Sequence, residues 1–121
     1  MSGVERVLRG VAPELETEVQ RRLSGFFGGF LRLYLPQTWV FRTEQGAATL
    51  CVDERGAVTV APGELPSADV TVEMAYDRLR RLLTNRAREP PGTEPPRVTT
   101  HTAKGRVAFG YLRDRLGLGA S

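Results

Sequence analysis

Four short segments between residues 38 and 74 alternate apolar with polar side chains, and this alternation is the strongest constraint on the fold. The apolar members occupy every second position within each segment: Trp39, Phe41, Leu50, Val52, Val58, Val60, Val70, Val72 and Met74. The positions between them are mostly threonine or charged. Because successive side chains of a strand point to opposite faces, the segments predict one sheet with an apolar and a solvated face. A parallel sheet covered on both faces is excluded.

Turn signals and helical spacing place the remaining elements. The turns at 44–46 and 54–56 each end in glycine, so the first three strands form an antiparallel meander. Two helices are expected before the sheet, one capped by Ser2 and ending near residue 10, the other starting at Pro13. Further helices are expected over 76–85 and 107–116, with a fifth strand over 98–104. The class predicted is α+β.

Length and composition favour one domain over residues 1–121, with N-terminal helices in 1–35 and the sheet and C-terminal helices in 36–121. No apolar run is long enough to span a bilayer, and no secretory signal begins the chain. The lone Cys51 offers no internal disulfide. We therefore expect a cytoplasmic protein.

Charge is unevenly distributed along the chain. Residues 1–75 carry seven basic and ten acidic side chains, whereas residues 76–121 carry ten basic and four acidic ones. A basic stretch includes Arg78, Arg80, Arg81, Arg86 and Arg88. It lacks aromatic side chains on which bases could stack, so a nucleic-acid partner is not expected. Weak contact with an anionic membrane fits better, and a plain solvated helix face is favoured over both.

The residues needed for catalysis or metal binding are scarce. One histidine and one cysteine give neither a paired-ligand metal site nor a recognisable catalytic dyad. The glycines at 25–29 lack the Lys and Ser/Thr of a phosphate-binding loop. We expect no catalytic residue, no metal and no cofactor, and hence no enzyme.

A specific prediction concerns the face of the sheet on which the single histidine, His101, lies. If Thr100, Thr102 and Lys104 face solvent, alternation turns His101 toward the apolar side of the sheet. A hydrogen-bonded core or rim histidine is favoured. The alternative is a polar anchor for the head of an apolar ligand.

The order of elements resembles the sterol carrier protein type-2 domain family. The resemblance covers roughly residues 31–116 and is carried best by "PSADVTVEM", which leads directly into the amphipathic "YDRLRRLL". It implies a five-stranded mixed, largely antiparallel sheet with helices over one face and a possible apolar tunnel between them. It also implies binding of a fatty acid, fatty acyl-CoA, sterol-like molecule or phospholipid, and hence a role in lipid transport. Because the sequence ends in Gly-Ala-Ser rather than in a peroxisomal address, we expect a prokaryotic, cytoplasmic member of the family.

Carried onto this chain, the resemblance implies a cavity wall of Phe26, Phe27, Phe30, Trp39, Phe41, Leu50, Val72, Met74, Leu82, Leu83, Phe109 and Leu112. For any single one of these residues, ordinary core packing is the favoured explanation. Two alternatives to a lipid-binding monomer or homodimer therefore stay open. One is a structural or dimerisation module that uses the apolar segment 26–35, and the other is an accessory subunit of an enzyme with a filled core.

Overall fold

A computed structural model describes residues 2–25, 32–84 and 96–116; the side chains of residues 84 and 111–116 lie outside this description. Within these ranges the chain forms three α-helices, one short 3₁₀ turn and five strands. In chain order they are α1 (Gly3–Leu23), the 3₁₀ turn (Arg32–Tyr34), β1 (Gln37–Thr43), β2 (Gly46–Val52), β3 (Val58–Pro62), β4 (Val70–Glu73), α2 (Tyr76–Thr84), β5 (Arg97–Thr100) and α3 (Ala103–Leu116).

The five strands form one mixed sheet in the order β3-β2-β1-β4-β5. Only β1 and β4 are parallel, and the other three neighbouring pairs are antiparallel. Trp39 sits at the centre, opposite Leu50 on one side and Val70 on the other. The predicted α+β class with a five-stranded, largely antiparallel mixed sheet is confirmed.

Helices cover the apolar face of the sheet. Val4 and Leu8 of α1 and Leu79 of α2 are at most 1% exposed and pack in one cluster with Trp39 and Val72. Burying side chains of this size contributes about 1.5–3 kcal/mol each. This burial fixes both helices against the sheet.

Helix α1 is continuous, and the prediction of two N-terminal helices is wrong. Pro13 lies inside α1 and is exposed, so its ring points away from the sheet. The apolar stripe continues across it at helical spacing, from Leu8 through Leu15 to Leu23. Both halves therefore pack on the same face, and this outweighs the hydrogen bond that proline removes. The predicted Ser2 cap is present, since its Oγ accepts from the Glu5 N–H at 3.1 Å.

The second face of the sheet is more buried than the alternation predicts. Thr49 is 0% exposed and Val40 is 2% exposed, although both point away from the helices. The β3–β4 connection crosses this face because β3 and β4 lie on opposite sides of the β1–β2 pair. Thr49 Oγ1 donates to the Gly63 carbonyl at 2.8 Å and accepts from the Leu65 N–H at 3.1 Å. The crossing loop is thereby tied to the centre of the sheet.

A buried carboxylate at the start of β4 joins three elements. Asp69 is 4% exposed, and its side chain accepts from the Thr38 N–H at 2.8 Å and from the Thr102 hydroxyl at 2.7 Å. Its carbonyl accepts from the His101 N–H at 2.8 Å. Thr102 in turn accepts from the Gly105 N–H at 3.0 Å and caps α3. Asp69 therefore fixes β1, β5 and the start of α3 together.

The same contacts correct the predicted ends of β5 and α3. The strand ends at Thr100 rather than residue 104, and α3 begins at Ala103 rather than residue 107. Gly105 is inside the helix rather than breaking the strand. A Cβ at Gly105 would lie 2.4 Å from the Asp69 carbonyl oxygen, so this glycine permits the close approach of helix and strand.

We predict opposite effects for two glycine-to-alanine substitutions in α3. Gly105→Ala forces the helix away from Asp69 and should lower the free energy of unfolding by about 1–3 kcal/mol. Gly110→Ala is the matched control, because a Cβ there meets nothing within 4 Å. It should leave stability unchanged or raise it by up to about 1 kcal/mol. Urea denaturation followed by circular dichroism measures both, and equal losses would contradict the packing described.

Candidate functional site

Three aromatic rings form a continuous apolar wall between the sheet and α3. The Trp39 ring centroid lies 6.4 Å from that of Phe41, at 29°, and 6.2 Å from that of Phe109, at 46°. Trp39 is 7% exposed, whereas Phe41 and Phe109 are half-buried. The Trp39 indole N–H donates to Gln37 Oε1 at 2.9 Å, which fixes the ring in place. The wall therefore follows β1 and is only partly covered.

The predicted wall residues fall into three groups. Trp39, Leu50, Val72 and Leu82 are each less than a tenth exposed and belong to the buried core. Four others are half-buried and pack against that core: Phe41, Met74, Leu83 and Phe109. Phe26, Phe27, Phe30 and the side chain of Leu112 lie outside the described residues. The half-buried group is the part of the predicted wall that a ligand could still contact.

A shallow surface cavity of about 420 Å³, largely open to solvent, lies where β1 and β4 end and β5 begins. Met74 is the predicted wall residue that borders it, and it also packs against the core cluster. The remaining lining is polar or small: Arg42, Thr43, Glu44, Glu73, Ala75 and Arg97. Met74 therefore lies between the buried core and the charged rim of this cavity.

Three of the four charged side chains around this cavity are engaged with other groups. Arg42 Nη2 donates to Glu64 Oε1 at 2.5 Å, and its Nη1 lies 3.3 Å from Glu73 Oε1. Glu44 Oε1 accepts from the Tyr76 N–H at 2.9 Å and so caps α2. Among the described residues, the Arg97 side chain has no hydrogen bond or ion pair. Arg97 is therefore the cation at this rim that remains available to a ligand.

The pair of Arg42 and Glu64 shifts both pKa values in the expected directions. The hydrogen bond from Arg42, with its positive charge, lowers the pKa of the Glu64 carboxyl from its usual 4.5. The hydrogen bond to Glu64 and its negative charge raise the pKa of Arg42. Both groups therefore stay charged at neutral pH, which leaves Arg42 committed to its carboxylate partners.

A second cavity, of about 330 Å³, lies between α1 and α2. Val7, Val11 and Leu83 supply its apolar lining, Arg6 and Glu14 its charged lining. Gly10 also borders it, where a Cβ would meet nothing within 4 Å. Leu83 thus faces a space distinct from the one beside Met74.

The prediction that His101 faces the apolar side is wrong. Val98 and Thr100 pair with Val72 and Val70, so they share the apolar face. His101 is exposed, and its Nε2 lies 2.9 Å from Thr71 Oγ1 on the opposite face. Since the strand ends at Thr100, the alternation assumed for residues 99–103 does not hold. This position does not suit an anchor for a ligand between the sheet and the helices.

Two polar residues that hold elements of the fold together, Asp69 and Gln37, were not predicted from the sequence. Asp69 gave no signal beyond its position immediately before a strand, and Gln37 none beyond its position before Trp39.

Within the described ranges, no group of three His, Cys, Asp or Glu side chains is placed to hold a metal ion. None of the described helices is long and apolar enough to cross a bilayer.

The similarities between this chain and known proteins are weak. No protein-family model and no curated protein matches the chain. Sterol carrier protein 2 from Yarrowia lipolytica, in its apo form, is similar in structure with a TM-score of 0.45 and 16% identity, covering 91% of this chain and 87% of that one. At this TM-score and identity, the similarity assigns neither a family nor a function to this chain.

The inverting sec-alkylsulfatase Pisa1 from Pseudomonas sp. is also similar, with a TM-score of 0.45 and 22% identity. A double mutant of that sulfatase gives a TM-score of 0.46 at the same identity. In both cases 71% of this chain matches only 13% of the sulfatase chain. These similarities assign no function to this chain.

We predict that Arg42→Gln raises the pKa of Glu64 toward 4.5, because it removes the charge that lowers it. The stabilisation from the pair is present above the unfolded-state pKa and is lost as pH falls through the lower folded-state pKa. Since both side chains are 45% exposed, its effect on stability should be small. Carboxyl ¹³C chemical shifts followed through an acid titration measure the change, with Glu54, exposed in the β2–β3 turn, as the reference. An unmoved Glu64 titration would contradict the pairing.

Proposed function

We propose that this domain binds an amphiphilic lipid, without catalysing its conversion. The observation that carries the proposal is the position of Met74, which packs on the buried core and also lines the 420 Å³ cavity. Hydrocarbon entering beside Met74 would continue onto the half-buried Phe41. The polar end of the ligand would stay at the charged rim where the strands end.

The driving force is transfer of hydrocarbon from water to the apolar wall. Each methylene group buried contributes about 0.8 kcal/mol. The half-buried side chains of Phe41, Met74 and Phe109 would lose their remaining contact with water at the same time. Ligand pockets typically combine such a lining with a few polar groups that fix orientation.

Arg97 is the group best placed to receive the polar head. It lines the cavity together with Met74 and lies opposite Glu73 in the β4–β5 register, and its side chain has no hydrogen bond or ion pair among the described residues. A guanidinium binds a carboxylate or phosphate through two parallel hydrogen bonds. The ligand class that fits is therefore a fatty acid, a fatty acyl derivative or a phospholipid. Since Arg97 pairs with Glu73 in the β4–β5 register, its side chain lies on the face opposite the helices. The head group would therefore be held outside the ends of the strands rather than between the sheet and the helices.

We predict that Met74→Trp weakens binding of a fluorescent fatty acid by roughly thirtyfold, which corresponds to excluding two or three methylene groups. Thr59→Trp is the matched control, since Thr59 is exposed on β3 and lines neither cavity. Fluorescence titration measures both affinities, and circular dichroism confirms that both variants fold.

Leu83→Trp distinguishes the two cavities in the same titration. An effect confined to Leu83→Trp would move the ligand to the space between α1 and α2. Unchanged binding in both variants, or no binding by the unaltered protein, would overturn the proposal.

A dimerisation module is the second candidate, favoured by the exposure of Leu33. This side chain is 71% exposed on the 3₁₀ turn, within the apolar segment 26–35. Sedimentation velocity over a range of concentrations tests it: a monomer throughout counts against this candidate, whereas a dimer dissociated by Leu33→Ser supports it.

A further inference from the structure

Two of the large exposed apolar side chains lie on neighbouring elements. Leu33, on the 3₁₀ turn, is 71% exposed, and Val107, on α3, is 47% exposed. The buried Gln37 ties these elements together, because its Nε2 donates to the Tyr34 carbonyl at 2.6 Å and to the Lys104 carbonyl at 3.1 Å. Leu33 directly precedes Tyr34, and Val107 is one helical turn beyond Lys104. The 3₁₀ turn that carries Leu33 and the first turns of α3, which carry Val107, are therefore held next to each other.

Unpaired cations flank both apolar side chains. Arg32 precedes Leu33 and Arg106 precedes Val107; both are exposed, and neither side chain has an ion pair or hydrogen bond among the described residues. Neither 19–43 nor 95–113 contains an Asp or Glu. We call Arg32, Leu33, Arg106 and Val107 the basic apolar patch.

We propose that the basic apolar patch docks this protein on an anionic lipid bilayer. Leu33 and Val107 would enter the boundary between headgroups and acyl chains, while Arg32 and Arg106 would meet lipid phosphates. Surfaces that combine apolar side chains with basic ones bind membranes in this way. Each arginine near an anionic surface strengthens binding by roughly fivefold.

The charges argue against a second copy of the chain as the occupant. In a twofold interface the same patch lies on both subunits. Arg32 and Arg106 would then face arginines of the other copy, and like charges across an interface oppose association. An anionic bilayer instead supplies a charge to each.

The side chains of the patch do not suit a nucleic-acid partner, and those of α2 do not suit insertion into a bilayer. The apolar side chains it exposes are aliphatic, so it offers no ring on which a base could stack. Helix α2 also carries arginines, yet Leu79 is 1% and Leu82 7% exposed. These leucines are used in the core, so α2 cannot insert them into lipid.

This docking goes beyond the proposed lipid binding and does not depend on it. The patch lies at the start of β1, whereas the cavity beside Met74 lies where β1 ends. Vesicle binding and fatty-acid binding can therefore succeed or fail separately.

Flotation with lipid vesicles tests the proposal on the full chain. The probes are vesicles of phosphatidylcholine alone and vesicles of phosphatidylcholine mixed with phosphatidylglycerol. We expect binding to the mixed vesicles only, weakened by salt. The double variant Arg32→Glu/Arg106→Glu should lower the partition coefficient by at least tenfold, and Leu33→Ser should also lower it.

Matched controls separate the patch from general attraction between a basic protein and an anionic surface. Arg55→Glu/Arg81→Glu makes the same change in charge on the β2–β3 turn and on α2. Leu65→Ser removes another large apolar side chain, which is 39% exposed. Leu65 lies on the β3–β4 connection, on the face of the sheet away from the helices. Both controls should change the partition coefficient by less than about twofold.

Several results would overturn the proposal. They are absence of binding to the mixed vesicles at low salt, an equal loss in the Arg55→Glu/Arg81→Glu control, and unchanged binding in the patch variants. A concentration-dependent dimer that Leu33→Ser dissociates would assign the patch to self-association instead. Since the substituted side chains are exposed, unaltered melting temperatures should confirm that every variant folds.

Discussion

The arrangement depends on the buried carboxylate of Asp69. It accepts hydrogen bonds from the Thr38 N–H and the Thr102 hydroxyl, while its carbonyl leaves room for a helix only because residue 105 is glycine. A buried carboxylate is costly unless donors satisfy it. Here the backbone of β1 and the cap of α3 supply those donors. The parallel β1–β4 pair and the approach of α3 to the sheet are therefore fixed at one point.

Strand β1 connects the surfaces to which the two proposals assign a role. At its start, Gln37 fixes the 3₁₀ turn and α3, which carry the exposed Leu33 and Val107, and accepts from the Trp39 indole. In its middle, Trp39 and Phe41 form the apolar wall. Where it ends, the charged cavity beside Met74 opens. The two proposals thus concern opposite ends of one strand, joined by its aromatic side chains.

Much of the fold could be predicted from the sequence wherever the local pattern of side chains agrees with how they pack. Alternation at Trp39 and Val72 predicted the sheet because one face is buried by helices. The prediction for His101 was wrong because a tertiary contact ends β5 early: Thr102 bonds to Asp69 rather than continuing the strand. Helix α1 passes Pro13 for a similar reason, since packing outweighs local propensity. Arg97 became a candidate only when the partners of its charged neighbours were known.

Native mass spectrometry of the purified protein, followed by solvent extraction, tests the central claim most directly. We predict a discrete adduct with the mass of a fatty acid or phospholipid, strongly reduced in Met74→Trp and retained in Thr59→Trp. The adduct should also become weaker in Arg97→Ala, which removes the proposed partner of the head group. A protein that keeps its unliganded mass, even after incubation with fatty acid, would contradict the account and favour a filled core.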